Sequence, residues 1–471
     1  MKLLLKAAAL AAVLSASGPA LAEQAPGPAA ITGRWDAVLT RNGVDIPFRL
    51  DLEQKDGELR GVFFNGFEAE PYDGATSASF QNGELTLNIQ HYLTTINAKL
   101  DDGKLGGTLV AQTREFSAQY GFRAVRHTPD PTLASTKAPS IAGTWIIPLD
   151  APSAKGEKAF RFVVQQRGPE VAAAILRIDG DSGSYSGAFK DGKWVLSHFD
   201  GGRPGVIEVT PKADGTLSVR QRIDGLGATP AHDEAGAPAA KIAVSSSGGD
   251  YGSPSVSEGR YAATLTAYRA EVAEAKGLPK PDDFLTHTSI RDPNEVFTFN
   301  FPDESGKLIS NEDPRFKGKV VLAIVTGTWC PNCHDEAQYL VKLDKQYRDK
   351  GLAIVALNFE EPEQQATLER QRAFIKKYGV KYTYLLAGAP AEMWEKVPQL
   401  NHLDTWPATL FIGRDGKIKA VHSGFASPAT GEFHAQLDRE FKGRIESLLA
   451  EKAPANLAAA STELTARPGL D

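Results

Sequence analysis

The chain has 471 residues, of which 42% are hydrophobic and 23% are charged, a composition typical of globular proteins. A chain of this length is expected to form roughly two to four domains. The formal net charge of −6 shows no excess of basic residues, which argues against nucleic acid or an anionic membrane surface as a binding partner.

Residues 1–22 are predicted to be an export signal. Lys2 and Lys6 make the start basic, an apolar stretch follows over residues 7–13, and Ala20–Ala22 fits a small-x-small cleavage site. The stretch is too short to span about 30 Å of hydrocarbon, and no cysteine follows the cleavage site to carry a lipid anchor. We therefore expect a soluble mature protein outside the cytoplasm, most simply in a bacterial periplasm.

Two related β-rich segments, residues 31–127 and 141–272, follow the signal. Ile31–Trp35 at the start of the first resembles Ile141–Trp145 at the start of the second, and further matches recur along both segments. Period-two hydrophobic runs alternate with hairpin-forming dipeptides, which predicts antiparallel strands in a small barrel or sandwich. These dipeptides are Asp56-Gly57, Asn82-Gly83, Asp102-Gly103, Asp191-Gly192 and Asp214-Gly215.

The repeats give more detailed expectations. Phe122–Ala124 matches Tyr268–Ala270 as the end of each repeat. Trp35 and Trp145 are predicted to fill the two cores rather than a ligand site, and the stretch from Gly225 to Gly259, rich in Gly, Ala and Ser, is predicted to be a loop. Neither repeat has catalytic or metal-binding spacing, so docking of a partner is the one role we consider for them.

The third segment, residues 290–450, alternates strand and helix patterns. An apolar run at 319–327 precedes a helix from Pro331 to about Lys350. This order predicts an α/β domain with a mixed central sheet and helices on both faces, after a duplicated all-β region. A tail, 452–471, is predicted to be disordered. The remaining predicted elements are strands at 295–301, 352–359, 382–386, 409–412 and 417–422, and helices at 363–378, 390–396 and 432–449.

The only two cysteines, Cys330 and Cys333, lie three residues apart at the predicted strand–helix junction. A pair this close cannot connect distant parts of a fold, so the spacing indicates a redox-active dithiol rather than a structural disulfide. Pro331 suits the first turn of a helix, which places Cys330 at the helix N-terminus. Unpaired N–H groups and the helix dipole favour the thiolate of Cys330 there.

Residues from about 290 to 450 resemble the thioredoxin superfamily, and specifically its exported TlpA/ResA-like branch. The resemblance depends on Gly327–Cys333 after an apolar strand and on Thr405–Thr409 before a later strand. It implies a thiol-disulfide oxidoreductase that uses its dithiol and needs no other cofactor or metal. The implied partners are cysteine-containing exported proteins as substrates and an electron-donating thiol protein of the membrane.

The resemblance also implies roles for single residues. Cys330 would attack a substrate disulfide, and Cys333 would resolve the resulting mixed disulfide. Glu336 lies on the same helix face as Cys333 and would accept the proton of the buried thiol. Pro407 would be the family's cis-proline beside the dithiol, and the backbone of Trp406 would pair with an extended substrate segment.

The residues around the cysteines leave the direction of electron flow open. Trp329 would shield the pair, while Pro331 and Asn332 form a dipeptide that differs from that of thioredoxin and helps to set the reduction potential. His334 would also tune the dithiol, with an exposed helix position as an equal alternative. Branch membership favours a reductase, and an oxidase is the alternative. Glu360, at the end of the second strand, is expected to be an ordinary strand-end carboxylate.

Three other functions match parts of the sequence. Cys330–His334 spells the C-x-x-C-H signature of c-type haem, but it lies inside a complete thioredoxin pattern. A peroxiredoxin would need a threonine three residues before its reactive cysteine, where this chain has Gly327. A binding protein with a vestigial redox domain is the third alternative, and the intact dithiol argues against it.

Overall fold

The computed structural model describes residues 27–452 except 42, 65–72, 113–116, 182, 203 and 222–263. The predicted signal, the stretch from Gly225 to Gly259 and the tail beyond residue 452 lie outside the described residues. The remainder forms two β repeats and a C-terminal α/β domain. Among the described residues, no helix combines the length and apolar character needed to cross a membrane.

The first repeat is a nine-stranded antiparallel sheet in the order β4-β3-β2-β1-β9-β8-β7-β6-β5. The sheet curls into a barrel, since β3 lies close to β5 and the backbone of Ala75 donates a 2.9 Å hydrogen bond to Gly61. Its strands are β1 Gly33–Arg41, β2 Val44–Lys55, β3 Glu58–Phe64, β4 Asp73–Gly74, β5 Ser77–Gln81, β6 Glu84–Ile89, β7 Thr94–Asp101, β8 Lys104–Gln112 and β9 Ser117–Arg126.

The second repeat is a barrel whose strands close into a ring. β10 pairs with β11 and β18, β11 pairs with β12, and β12 through β14 to β18 complete the circuit, while the short β13 extends from β12. Its strands are β10 Gly143–Pro148, β11 Ala159–Arg167, β12 Glu170–Arg177, β13 Gly180–Asp181, β14 Tyr185–Lys190, β15 Lys193–His198, β16 Gly205–Pro211, β17 Leu217–Gln221 and β18 Leu265–Arg269.

Trp35 and Trp145 occupy equivalent core positions, as the duplication predicts. Both are buried, and each indole N–H donates a 2.8 Å hydrogen bond to the carbonyl four residues upstream. The guanidinium of Arg126 lies 4.1 Å from the Trp35 ring, and that of Arg269 lies 4.0 Å from the Trp145 ring. Arg126 is therefore the counterpart of Arg269. The predicted match of Arg123 with Arg269 is wrong by three residues, because only Arg126 pairs with the tryptophan in the sheet.

The C-terminal domain has a mixed five-stranded sheet in the order β24-β23-β22-β26-β27, in which β26 is antiparallel to both of its neighbours, β22 and β27, and the other strands run in one direction. Every residue of the central strand β22 is buried, because helices cover both faces of the sheet. The strands are β19 Ser289–Ile290, β20 Asn300–Pro302, β21 Leu308–Ser310, β22 Val320–Thr326, β23 Leu352–Phe359, β24 Thr383–Gly388, β25 Leu400–Asn401, β26 Ala408–Ile412 and β27 Ile418–Ser423; the α-helices are α1 Ala270–Ala275, α2 Pro331–Tyr347, α3 Pro362–Gln365, α4 Glu369–Tyr378, α5 Met393–Lys396 and α6 Glu432–Ala450.

Two predicted elements differ from the structure. The predicted helix 363–378 is split into α3 and α4, because Leu368 adopts a left-handed backbone conformation with φ 50°. This turn directs Arg370 into the interior, where it meets buried carboxylates. The predicted strand 295–301 is reduced to β20, since its hairpin partner β21 has only three residues, and Val296 makes just an isolated bridge to Lys417.

Candidate functional site

The two cysteines lie where the central strand β22 leads into α2. Cys330 is the N-cap residue of α2, and Cys333 lies one turn into the helix. Both thiols are free and buried, with exposed fractions of 4% for Cys330 and 1% for Cys333. Burial, followed by the neighbouring Cys330, raises the pKa of the Cys333 thiol well above its ordinary value. The pair is thus asymmetric, since Cys330 caps the N-terminus of α2 while Cys333 lies deeper and is held as a thiol.

Two tryptophans and a cis-proline form the wall beside Cys330. The peptide bond between Trp406 and Pro407 is cis, as the resemblance implied. The Cys330 thiol lies 3.5 Å from the backbone oxygen of Trp406. The Trp329 indole N–H donates a 2.8 Å hydrogen bond to Phe359, and its ring packs edge-on against that of Trp406 at 5.1 Å. Trp329, predicted to shield the pair, and Trp406 with Pro407, predicted to bind substrate, therefore lie beside the Cys330 sulfur.

Glu336 is buried beneath the dithiol. Burial raises the pKa of its carboxyl to about 8, although the Thr409 hydroxyl donates a 2.5 Å hydrogen bond to it. Glu336 and Cys333 line the same cavity of about 10 Å³, which is about the space of one water molecule. The Glu336 carboxyl and the Cys333 thiol therefore border one small enclosed space. With an exposed fraction of 1%, Glu336 is not a solvated residue of the helix surface.

His334 is buried rather than exposed on the helix surface. One ring nitrogen lies 2.8 Å from the Tyr378 hydroxyl and the other 2.8 Å from the backbone oxygen of Thr328. These contacts fix the loop just before Cys330 and leave neither nitrogen directed at a haem iron. The ring also packs against His91 and Tyr92 of the first barrel, at 5.1 and 4.8 Å. His334 thus joins the dithiol helix to a β repeat.

The second barrel covers the dipeptide between the cysteines. Pro331 is buried as the first residue of α2, and the Asn332 amide donates a 2.9 Å hydrogen bond to the backbone oxygen of Asp179, in the turn between β12 and β13. Asp181 accepts hydrogen bonds of 2.7 and 3.0 Å from the backbone and hydroxyl of Ser427. Gly180 pairs with Phe425 as an isolated bridge. The β repeats therefore reach the redox site, a contact that the sequence analysis did not predict.

A buried charged cluster lies beside the loop that precedes Cys330. Glu360 is fully buried, accepts a hydrogen bond from the Thr328 hydroxyl and pairs with Arg370. Arg370 also contacts Glu361 at 2.7 Å. The expectation of an ordinary strand-end carboxylate was wrong for Glu360. The adjacent glutamates after an apolar strand were the only sequence signal, and nothing in the sequence identified Arg370 as their partner.

The comparisons with known proteins concern the C-terminal domain alone. The Redoxin family model matches residues 292–437. Thiol-disulfide oxidoreductase ResA of Halalkalibacterium halodurans is 28% identical over 161 residues, covering 33% of this chain and 82% of the relative. Thioredoxin-like protein YneN of Bacillus subtilis is 33% identical over 143 residues, covering 29% of this chain and 77% of the relative.

A solved thiol:disulfide interchange protein of Chlorobium tepidum is 20% identical and covers 34% of this chain and all of its own length, with a TM-score of 0.25. The strand–dithiol–helix junction, the cis-proline and the matched relatives agree on one assignment. Through its C-terminal domain, the chain belongs to the TlpA/ResA-like branch of the thioredoxin superfamily.

Proposed function

We propose that this thiol-disulfide oxidoreductase is exported and reduces disulfides of extracytoplasmic proteins through Cys330 and Cys333. The observation that carries the proposal is the asymmetry of the dithiol. Cys330 lies at the start of α2 beside the backbone of Trp406, whereas Cys333 is buried next to Glu336. The predicted export signal at residues 1–22 supports the location.

The reaction proceeds by two thiol exchanges. The Cys330 thiolate attacks one sulfur of a substrate disulfide, forms a mixed disulfide and releases the first substrate thiolate. Glu336 takes the proton of Cys333, whose thiolate then attacks the Cys330 sulfur and releases the second substrate thiolate. The substrate gains two electrons, and the Cys330–Cys333 disulfide that remains is reduced again by a thiol donor, which we place in the membrane.

Glu336 suits the proton transfer because its pKa of about 8 lies near neutral pH. At neutral pH the ionised minority of Glu336 is the form that accepts the Cys333 proton, and the raised pKa makes this carboxylate a stronger base than an ordinary one. The same two exchange steps, run in the opposite direction, would oxidise a substrate dithiol, as an oxidase does. Membership of the TlpA/ResA-like branch supports the reductase direction.

The reduction potential tests the direction. Equilibration of the full-length protein with glutathione buffers, read by alkylation and mass spectrometry, measures it directly. A reductase is expected to have a potential well below about −200 mV, whereas a value near −120 mV is typical of a dithiol oxidant. The second result would reverse the proposed direction and leave the exchange chemistry intact.

Trapping tests the roles of the two cysteines. We expect Cys333→Ser to accumulate mixed disulfides through Cys330 with cysteine-containing exported proteins, because the resolving thiol is missing. Cys330→Ser is the matched control and is expected to trap none, since Cys333 is buried and its thiol resists ionisation. Non-reducing electrophoresis separates the adducts. Equal trapping by the two variants would contradict the assignment of Cys330 as the nucleophile.

A further inference from the structure

A group of metal-ligating side chains lies outside the dithiol site, in two loops of the C-terminal domain. His287 lies in the loop between α1 and β19, and His402 and Asp404 lie between β25 and β26. The potential ligand atoms of these three residues are all within 4.8 Å of one another. None of the three has a part in the proposed exchange reaction. His402 and Asp404 are neighbours in the sequence, but His287 precedes Asp404 by 117 positions, so the group has no local sequence signature.

His287 is held in a ligating orientation by a second carboxylate. Its Nδ1 lies 3.2 Å from Asp282 Oδ2, and its Nε2 lies 2.8 Å from Asp404 Oδ1. The His287 side chain is only 4% exposed, so the ring is fixed. Metal-binding histidines are commonly oriented in this way, with one nitrogen toward the metal and the other donating to a carboxylate.

His402 completes the group from the solvent side. Its ring centroid lies 5.4 Å from that of His287, and its ring nitrogens have no hydrogen-bond partner among the described residues. The backbone oxygen of His402 accepts a 3.0 Å hydrogen bond from the Thr288 hydroxyl, which ties its loop to the one that carries His287. Because the His402 side chain is exposed, it can move toward the other two donors.

We propose that His287 Nε2, a ring nitrogen of His402 and a carboxylate oxygen of Asp404 bind one divalent transition ion of the Zn²⁺ class, with Asp282 as the orienting carboxylate. Two imidazoles and one carboxylate favour such an ion over Mg²⁺ or Ca²⁺, which prefer oxygen ligands. Three protein ligands with water in the remaining position are typical of open zinc sites.

The required rearrangement is small. The ion replaces the proton shared by His287 and Asp404, and this proton is released to solvent. With metal–ligand bonds of roughly 2.0–2.2 Å, tetrahedral donors lie about 3.3–3.6 Å apart. Donors that now lie up to 4.8 Å apart must therefore close in by up to roughly 1.5 Å, while His287 Nε2 and Asp404 Oδ1, 2.8 Å apart, must separate by roughly half an ångström or more. A change of rotamer at the exposed His402 supplies the first movement, and a small shift of the Asp404 carboxylate supplies the second.

Zinc titration of the full-length, disulfide-oxidised protein tests the site, because oxidation removes the dithiol as a competing zinc ligand. We expect calorimetry to show one Zn²⁺ per chain and Mg²⁺ not to compete. His402→Ala should weaken binding at least tenfold, and Asp282→Asn about 10- to 100-fold. His402 is exposed, so its removal leaves the core unchanged, and circular dichroism verifies the fold of each variant.

His127→Ala is the matched control. His127 also lies 2.8 Å from an aspartate, Asp36, in an exposed pair on the first barrel, but among the described residues this pair belongs to no group of three potential metal ligands. Its replacement should leave Zn²⁺ binding unchanged. Absence of saturable binding to the oxidised protein would overturn the proposal, as would equal affinities of the wild type and His402→Ala. The zinc measurements do not depend on the trapping experiment or on the reduction potential. Failure of the metal proposal would therefore leave the proposed exchange function untouched, and the reverse also holds.

Discussion

Glu336 places a carboxyl group in the interior of the C-terminal domain, where burial raises its pKa to about 8 from an ordinary value of 4.5. The folded protein therefore binds this proton more tightly than the unfolded chain does. The resulting stabilisation is fully present below about pH 4.5 and is lost as the pH rises through about 8. The group that we propose as the proton acceptor is thus a source of instability at neutral pH.

Glu336→Gln keeps the shape of the side chain and cannot ionise, so we expect it to remove this pH dependence. Relative to the variant, the wild type should lose up to ~1.4 kcal/mol of unfolding free energy per pH unit between about pH 5 and 8. Denaturant titrations at several pH values measure the difference, and Glu363→Gln, at an exposed helix position, is the control. Parallel curves for the wild type and Glu336→Gln would show that the buried carboxyl does not titrate in this range.

Among the elements of the C-terminal domain, β23 and α4 are joined by the buried ion pairs of Arg370 with Glu360 and Glu361. The Arg370 side chain is 4% exposed, and the two carboxylates are 0% and 1% exposed. Because Glu360 also accepts the Thr328 hydroxyl, the cluster supports the loop that carries Cys330. Removal of one member leaves buried charge without compensation.

Arg370→Met should therefore lower the free energy of unfolding by about 3–5 kcal/mol, since both carboxylates lose their cation. Urea titration at pH 7 measures this loss. Arg439→Met is the control, because Arg439 and Glu432 form an ion pair on α6 that is 63% and 78% exposed. Such a surface pair is worth less than about 1 kcal/mol. If Arg370→Met also lowered the free energy of unfolding by less than about 1 kcal/mol, water or local rearrangement would have to compensate the charge of the two carboxylates.

The sequence predicted those elements whose signals are local. The apolar run of β22, followed by Cys330 and Pro331, located the strand–helix junction, because strand patterning and an N-terminal proline act within a few residues. The split between α3 and α4 escaped prediction. The left-handed turn at Leu368 goes together with the buried ion pairs of Arg370, and a tertiary contact of this kind leaves no periodic signal in the sequence.

At the scale of the whole molecule, repeated motifs in the sequence predicted the duplication. They did not predict that the barrels contact the redox site. Asn332 and Asp179 are 153 positions apart, and their contact depends on a single side-chain amide and a backbone oxygen. The sequence does not distinguish a polar residue that makes such a contact from one that is exposed to solvent. Cys330, two residues before this contact, is only 4% exposed. We therefore expect the second barrel to limit access to Cys330.

Gly180 offers a way to weaken this cover. A Cβ atom there would lie 2.5 Å from the Phe425 backbone oxygen and 2.9 Å from the Asn332 side chain, so Gly180→Ala should force the turn away from the dithiol. We expect at least a tenfold faster alkylation of Cys330 by iodoacetamide in the reduced protein. Gly192→Ala is the control, because Gly192 also has a positive φ, 80°, yet its Cβ would meet nothing within 4 Å. Gly180 has a φ of 128°, so its variant carries more backbone strain than the control in addition to the clash, and both effects act to displace the turn. Equal alkylation rates in the two would mean that the barrel does not limit access to Cys330.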